Sequence, residues 1–205
     1  HLESLTESEL PVVFFDRVCD AIASHRVITD DFEGARIATK HLISIGCRRI
    51  VHLTGAPSLV ISKQRLDGYK TALMEAGIAV DESLIIEADS DFLFNRAEDK
   101  LITIAPEIDG VFAINDSTAI AAMKLFQKNG YSIPEDIAVI GFGDGPVNDV
   151  VSPTLSSVVQ SGYEIGCEAM NMLIRQIDND IITLDYETRV FTPTLKVRAS
   201  TKRLK

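Results

Sequence analysis

The stretch DGVFAINDSTAIAAMKLFQKNGYSIPEDIAVIGFGD, residues 109–144, decides the fold because it contains two patterns in a fixed order. Residues 108–116 and 137–142 are apolar runs rich in Val, Ile and Phe, which are typical of buried strands. Between them, residues 117–128 have the length of a helix, and Gly130 stands where a helix ends. A strand, a crossover helix and a second strand predict two parallel strands with a right-handed connection.

The same alternation of strand and helix extends on both sides of this stretch. Strands are predicted at 10–16, 48–55 and 83–89, and helices at 33–45, 61–77, 96–105 and 162–177. Residues 186–198 alternate like exposed or edge strands. The sequence therefore predicts an α/β fold of parallel sheets flanked by helices, in which ligands bind beyond the carboxyl ends of the strands.

The charge of the chain bears on its partners. The 205 residues carry a formal net charge of -10, whereas nucleic acid requires clustered Lys and Arg, so no nucleic-acid contact is expected from them. The basic tail RASTKRLK, residues 198–205, is interpreted as a solvated terminus. No apolar stretch is long enough for a membrane span, and no secretory signal follows His1, so a cut N terminus and a cytoplasmic location are expected.

Cysteines and histidines are scattered along the chain, which favours neither a zinc site nor a disulfide framework. Cys19, Cys47 and Cys167 are predicted to be buried free thiols, and His41 and His52 to have core or surface roles. No nucleophile and base are paired in the sequence. Catalytic residues, metal ions and cofactors are therefore not expected, and neither is an enzyme.

Glycines follow the strand at 137–142 in a pattern that is unlike a phosphate-binding loop. Gly141, Gly143 and Gly145 have the spacing G-x-G-x-G and are followed by Pro146, whereas a dinucleotide loop needs G-x-G-x-x-G directly before a helix. A carboxylate in the loop, Asp144, would repel a phosphate. The loop is therefore predicted to line a cleft, with a flexible turn as the alternative.

Polar residues follow most of the predicted strands. They are Asp16 and the residues at 54–55, 89–91, 115–116 and 143–144. Carboxylates and amides suit a hydroxyl-rich ligand better than a phosphate.

Several stretches resemble, in order along the chain, signatures of the LacI/GalR (lactose-repressor-like) transcription regulators. Besides residues 109–144 they are DDFEGARIATKHLISIGCRRIVHLTG (30–55), RLDGYKTALMEAGI (65–78) and SPTLSSVVQSGYEIGCEAMNMLI (152–174). The resemblance covers Pro11 to about Thr201. It implies a periplasmic-binding-protein-like (type I) effector domain of two α/β lobes, with the ligand in the cleft between them.

The resemblance also implies a division of the chain. Residues 1–30 and 155–178 should be the remnant of an N-terminal lobe, and 31–154 and 179–205 a nearly complete C-terminal lobe. A DNA-binding head and the first part of the N-terminal lobe would then be missing. The strand at 10–16 should lie at an unpaired sheet edge that is mobile or covered by a partner chain.

The resemblance assigns ligand-binding roles to three residues. Asp16 matches an acidic cleft residue that accepts hydrogen bonds from sugar hydroxyls, with a turn or helix-cap role as the alternative. Arg65, in RLDGY, matches a ligand-binding arginine, with a surface salt bridge as the alternative. Asn115, in AIND, is assigned to the ligand, whereas its neighbour Asp116 is assigned to structure, as a helix cap.

Phe15, Phe92 and Asp144 complete the predicted ligand-binding set. The family usually reads GFDD or GYDD where this chain has GFGD, so the acid that commonly touches the effector is replaced by Gly143. The effector could then be bulkier or phosphorylated, or its contact could move to Asp144. Phe92 lies where the family often has an aromatic residue stacked on a sugar ring, although Phe92 and Phe94 could equally belong to the core.

The function that the resemblance implies is that of the ligand-sensing domain of a LacI-type transcriptional regulator. A small, sugar-like effector would favour one arrangement of the lobes in a homodimer and so change operator binding by the missing head. A periplasmic sugar-binding receptor of a transport system would share the fold and is the alternative. A nucleotide-using α/β enzyme is the third possibility.

Overall fold

The computed structural model describes residues 10–18, 22–88, 91–179 and 186–202, and for 91–93 and 179 the backbone alone. The strands are β1 (Val13–Phe15), β2 (His25–Thr29), β3 (Ile50–Thr54), β4 (Ile85–Glu87), β5 (Gly110–Ala113), β6 (Ala138–Gly143), β7 (Ser156–Val159), β8 (Thr188–Phe191) and β9 (Thr194–Lys196). The helices are α1 (Asp31–Ser44), α2 (Val60–Glu75), α3 (Asp91–Ile104), α4 (Asp116–Lys128) and α5 (Gly162–Asn179). Short 3-10 turns span Glu82–Leu84, Ala105–Glu107, Pro146–Asp149 and Ala199–Thr201.

The chain divides into two units. The larger unit consists of Asp31–Gln160 and Pro193–Lys205, and the smaller of the residues up to Asp30 together with Ser161–Thr192. The division differs from the predicted one at two places. The segment 155–160 lies in the larger unit because β7 pairs with β6, and 179–192 lies in the smaller unit because β8 pairs with β2.

The larger unit is built on a six-stranded sheet of order β4-β3-β5-β6-β7-β9. All neighbouring strands are parallel except β9, which runs antiparallel to β7. The carboxyl ends of β3, β5 and β6 therefore lie at one edge of the sheet. The predicted α/β fold with parallel sheets flanked by helices is confirmed.

Side-chain alternation along the strands divides the core of the larger unit into two layers. On one face, residues such as Leu53 and Val139 pack with the buried sides of α3 and α4, including Leu101 and Phe126. On the other face, residues such as Ile140 pack with α1 and α2. Helices therefore cover both faces of the sheet, as expected for parallel strands that are apolar on both sides.

Helix α1 illustrates how the local sequence sets these layers. Ala35, Ala38 and Leu42 recur at helical spacing and are fully buried against the sheet. Asp31 gives the first turn an acidic residue, which the helix dipole favours, and Gly46 follows the helix with φ +100°, a conformation that glycine adopts without strain.

The smaller unit has a three-stranded parallel sheet of order β1-β2-β8. Its core is formed by Val27 of β2 with Ile165, Ala169 and Met172, which lie on one side of α5. Strand β1 lies at an edge of the described sheet, and the predicted mobility or covering of that edge stays a prediction.

The cysteine prediction holds for one residue and fails for another. Cys47 is buried, as expected, but Cys167 is exposed because it lies on the side of α5 that faces away from the core of the smaller unit. Cys19 lies outside the described residues. In the described ranges, no helix is long and apolar enough to cross a membrane.

Candidate functional site

The carboxyl edge of the six-stranded sheet carries three of the predicted ligand-binding residues. Asn115 follows β5, Asp144 follows β6, and Arg65 lies on α2, the helix that follows β3. Two hydrogen bonds involve their neighbours in sequence: Arg65 donates to the carbonyl of Ile114, which precedes Asn115, and the carboxylate of Asp116 accepts from the backbone of Gly145, which follows Asp144. We call Arg65, Asn115, Asp116 and Asp144 together the strand-exit site.

Arg65 is buried and holds an ion pair. Its Nε and Nη2 donate to Oδ1 of Asp31, at 2.8 and 2.6 Å, and Nη1 donates to the carbonyl oxygen of Ile114. The guanidinium carbon also lies 3.5 Å from the ring centroid of Phe142, in a cation–π geometry. The alternative of a surface salt bridge is wrong, because both side chains of the pair are only 5% exposed. A ligand contact by Arg65 stays a prediction.

Asn115 caps helix α4. Its Oδ1 accepts hydrogen bonds from the backbone of Thr118, at 2.8 Å, and from the Ser117 hydroxyl, at 2.7 Å. The Nδ2 group of this half-buried side chain donates no hydrogen bond to the described part of the chain. The amide oxygen therefore has a structural role, while the amide nitrogen is available as a donor at the strand exit.

Asp116 is not the helix cap that the sequence suggested, because Asn115 occupies that position. The Asp116 carboxylate is buried and holds the loop after β6. Oδ1 accepts from the Ser157 hydroxyl at 2.6 Å, and Oδ2 accepts from the backbone of Gly145 at 2.9 Å. The structural assignment of Asp116 stands, with a different role.

The glycine at position 143 fits the shape of this loop. Its φ is +129°, a conformation that residues with a side chain rarely adopt, and a Cβ atom there would lie 3.3 Å from Oδ2 of Asp116. A carboxylate at position 143 would therefore require a different backbone conformation. The glycine in GFGD is therefore compatible with the backbone conformation that this loop adopts.

Asp144 is held by basic residues from the C-terminal segment. Its Oδ1 lies 2.6 Å from Nη1 of Arg198, and its Oδ2 lies 3.5 Å from Nζ of Lys196. Nε of the same arginine lies 2.6 Å from Oδ1 of Asp149, and this hydrogen bond lowers the pKa of Asp149. The prediction that 198–205 is a solvated terminus is wrong for Arg198, Ser200 and Thr201, which are buried.

His52 lies beneath this edge, within β3. Its ring stacks between Tyr69 and Phe112, at centroid distances of 5.2 and 4.8 Å, and Nδ1 donates to the carbonyl of Phe112. Burial lowers the pKa of His52 to about 4, and the nearby charge of Arg65 acts in the same direction. His52 is therefore uncharged at neutral pH and has the core role, which was one of the two roles predicted for it.

The remaining predicted residues belong to other elements. Phe15 and Asp16 belong to the smaller unit and are exposed, and Asp16 has a φ of 60° while its backbone donates to the carbonyl of Val27. Phe92 lies on α3, but its side chain is outside the described residues. Phe94 is buried in the core, which is the alternative considered for it. The ligand roles of Phe15, Asp16 and Phe92 stay predictions.

Comparison with known proteins places the chain in a family. Residues 39–201 match the model of the periplasmic binding protein-like domain. The HTH-type transcriptional regulator CelR of Thermobifida fusca is 34% identical over 184 residues, which are 87% of this chain and 53% of CelR. The HTH-type transcriptional repressor PurR of Vibrio atlanticus (strain LGP32) is 33% identical over 200 residues, 96% of this chain and 59% of PurR. The chain belongs to the periplasmic-binding-protein-like domain family, among the LacI-type regulators.

Solved structures of LacI-type regulators have the same fold. A complex of CelR with cellobiose superposes with a TM-score of 0.88 at 31% identity, over 97% of this chain and 61% of that one. A LacI family regulator from Enterococcus faecium with bound ribose superposes with a TM-score of 0.86 at 26% identity, over 99% of this chain and 75% of that one. This chain thus spans a little over half the length of the curated LacI-type relatives that it matches.

Sequence analysis missed two residues that shape the strand-exit site. Asp31 was contained in a family signature without a role, and Arg198 was assigned to a solvated tail. The signal available for Arg198 was its place as the last of the alternating residues 186–198, next to a predicted strand. Among the described residues, no group of three His, Cys, Asp or Glu side chains could hold a metal ion.

Proposed function

We propose that this chain is the ligand-sensing domain of a LacI-type transcriptional regulator and that it binds a small, neutral, sugar-like effector at the strand-exit site. The observation that carries the proposal is the correspondence with relatives solved with cellobiose and with ribose, which extends over 97 and 99% of this chain. The strand-exit site lies within that extent.

The charges at this site favour a neutral ligand over a phosphorylated one. The guanidinium of Arg65 is matched by Asp31, and that of Arg198 by Asp144 and Asp149. The buried carboxylate of Asp116 has its hydrogen bonds from a hydroxyl and a backbone amide. Because no excess positive charge results from these groups, a phosphate would be desolvated without a matching cation.

The polar atoms suit hydroxyl groups. Nδ2 of Asn115 is a donor at the strand exit. The carboxylate oxygens of Asp144 are acceptors, and 12% of this side chain is exposed. The donor and the acceptor can each engage one hydroxyl of a sugar. Contributions from Phe15, Asp16 and Phe92 are part of the proposal and are not needed for this argument.

The effector would act on operator DNA bound by a segment outside these 205 residues, in a homodimeric regulator of the cytoplasm. The effector can change the affinity of the regulator for DNA only by the ratio of its own affinities for the DNA-bound and the DNA-free regulator. Because the mechanism consists of binding steps alone, it requires no bond chemistry. The relatives named above are transcriptional regulators, which favours this function over a transport receptor or an enzyme.

Isothermal titration calorimetry of the chain with ribose, cellobiose and ribose 5-phosphate tests the proposal. We expect at least one neutral sugar to bind and the phosphorylated sugar to bind more weakly. Asn115→Asp keeps the capping oxygen but removes the amide donor, so it should weaken sugar binding without unfolding α4. Asn129→Asp, at the exposed end of α4, is the matched control. Tighter binding of ribose 5-phosphate, or equal sugar binding by both variants, would contradict the proposal.

A further inference from the structure

The C-terminal segment of the larger unit runs alongside the loop that follows β6. Arg198, which follows β9 in this segment, is 7% exposed and contacts the loop at two points. Nη1 donates to Asp144 and Nε donates to Asp149, both at 2.6 Å. One side chain therefore bridges both ends of residues 144–149.

Arg198 is itself held firmly. Its Nη1 also donates to the carbonyl of Leu155 at 2.9 Å, and its backbone donates to the Ser156 hydroxyl at 2.7 Å. Two residues further on, the Ser200 hydroxyl donates to the carbonyl of Val139 in β6. The segment is thus anchored on two strands of the sheet, and Arg198 extends from a fixed base.

The backbone of this loop passes through positive φ at two successive residues. Gly143 has φ +129° and Asp144 has φ 58°. For a residue with a Cβ atom, the left-handed region is less favourable than the right-handed one, so contacts that hold Asp144 there help to select this conformation. Besides Arg198, the loop is held by the bond from Gly145 to Asp116 and by the bond from the Asp144 backbone to the Ser157 hydroxyl, at 3.2 Å.

We propose that Arg198 is a positioning residue for effector binding: it holds residues 143–149 in the conformation that orients Asp144 toward the effector. This inference rests on the function proposed above. Arg198 would act through Asp144, because the residue is only 7% exposed and its Nε and Nη1 atoms are engaged by Asp144, Asp149 and Leu155. Lys196 lies 3.5 Å from Asp144 but is half-exposed, so it holds the loop more weakly than Arg198 does.

The expected effect follows from the population of the competent loop. If the loop keeps its conformation one tenth of the time after the arginine is removed, the apparent dissociation constant rises about tenfold. Arg198→Gln removes both ion pairs, and Arg198→Lys keeps the charge but can satisfy only one carboxylate well. We expect a weakening of about tenfold for Arg198→Gln and a smaller one for Arg198→Lys.

Arg36→Gln provides the matched control. Arg36 also bridges two carboxylates, those of Glu33 and Glu75, but it lies on the exposed side of α1. This variant should bind the effector as the native chain does. Thermal unfolding of all three variants shows whether they are folded at the temperature of the titration, and Arg198→Lys serves if Arg198→Gln does not fold.

Hydrogen–deuterium exchange of the ligand-free chain tests the positioning role separately from the effector. The amides of Asp144 and Gly145 should exchange faster in both Arg198 variants, while the amides of β3 stay protected. If exchange increases and no sugar binds even the native chain, the proposed function fails and the positioning role in the loop stands. If the folded variants keep native exchange at these amides, or bind a sugar as tightly as the native chain does, the inference is overturned.

Discussion

The buried pair of Arg65 and Asp31 gives the sharpest test of the structure of the larger unit. Asp31→Asn changes almost no volume and leaves an oxygen that can still accept from Arg65, so its main effect is to remove the negative charge that lies against the guanidinium. Both side chains are 5% exposed and the pair is 2.6 Å apart, which places it among buried pairs. Removing one partner of such a pair destabilises a protein by about 3–5 kcal/mol.

The assay is thermal and urea unfolding of the native chain and the variant. For a chain of this size, each kcal/mol lowers the melting temperature by about 2–4 °C, so we expect a decrease of about 6–20 °C for Asp31→Asn. Arg36→Gln breaks ion pairs with carboxylates at the surface and should change the melting temperature far less.

A double variant separates lost charge balance from lost packing. Asp31→Asn combined with Arg65→Gln removes both charges, so the double variant should be more stable than Asp31→Asn alone. Its loss of stability should also be smaller than the sum of the losses in the two single variants. A loss of less than about 1 kcal/mol for Asp31→Asn would refute the reasoning. A double variant less stable than the sum of the two single changes would do so as well.

Two further predictions concern the core beneath the site and the loop above it. Because burial lowers the pKa of His52 to about 4, the unfolded state takes up the proton first as the pH falls, so stability should decrease between about pH 6.5 and 4 by about 3 kcal/mol at most and level off below. Urea unfolding at a series of pH values measures this, and His52→Phe should remove the part of the dependence that is due to His52. An unchanged pH profile in His52→Phe would contradict the prediction. Gly143→Ala should destabilise the chain by about 1–2 kcal/mol, because φ is +129° and the new methyl group would lie 3.3 Å from Asp116. An unchanged urea midpoint would show that the loop relaxes freely.

The sequence was sufficient to predict the alternation of strands and helices and the edge at which the polar residues gather. Apolar runs at 48–55, 108–116 and 137–142 contain β3, β5 and β6, since strands buried on both faces must be apolar throughout. Strands β2 and β7 were not predicted. Their sequences, HRVIT and SSVV, are short and largely polar, and they become strands only through pairing with distant segments.

The site was predictable as a set of residue types but not as a set of contacts. Asn115 and Asp116 are both good helix-capping residues, and only the backbone geometry shows which one caps α4. The bridge from Arg198 to Asp144 joins residues 54 positions apart, and no periodicity in the sequence reports on such a contact. The predicted division of the chain assigned 155–160 and 179–192 to the wrong units for the same reason. Their place is set by strand pairing between segments that are far apart in sequence.

The central claim is that the strand-exit site of the larger unit binds a neutral sugar. The most direct measurement is an NMR titration of the 15N-labelled chain with ribose and with cellobiose, read at each backbone amide. We expect the shifts to concentrate at residues 114–118 and 143–149. Saturable shifts that leave these residues unchanged, or no shifts with either sugar, would contradict the claim.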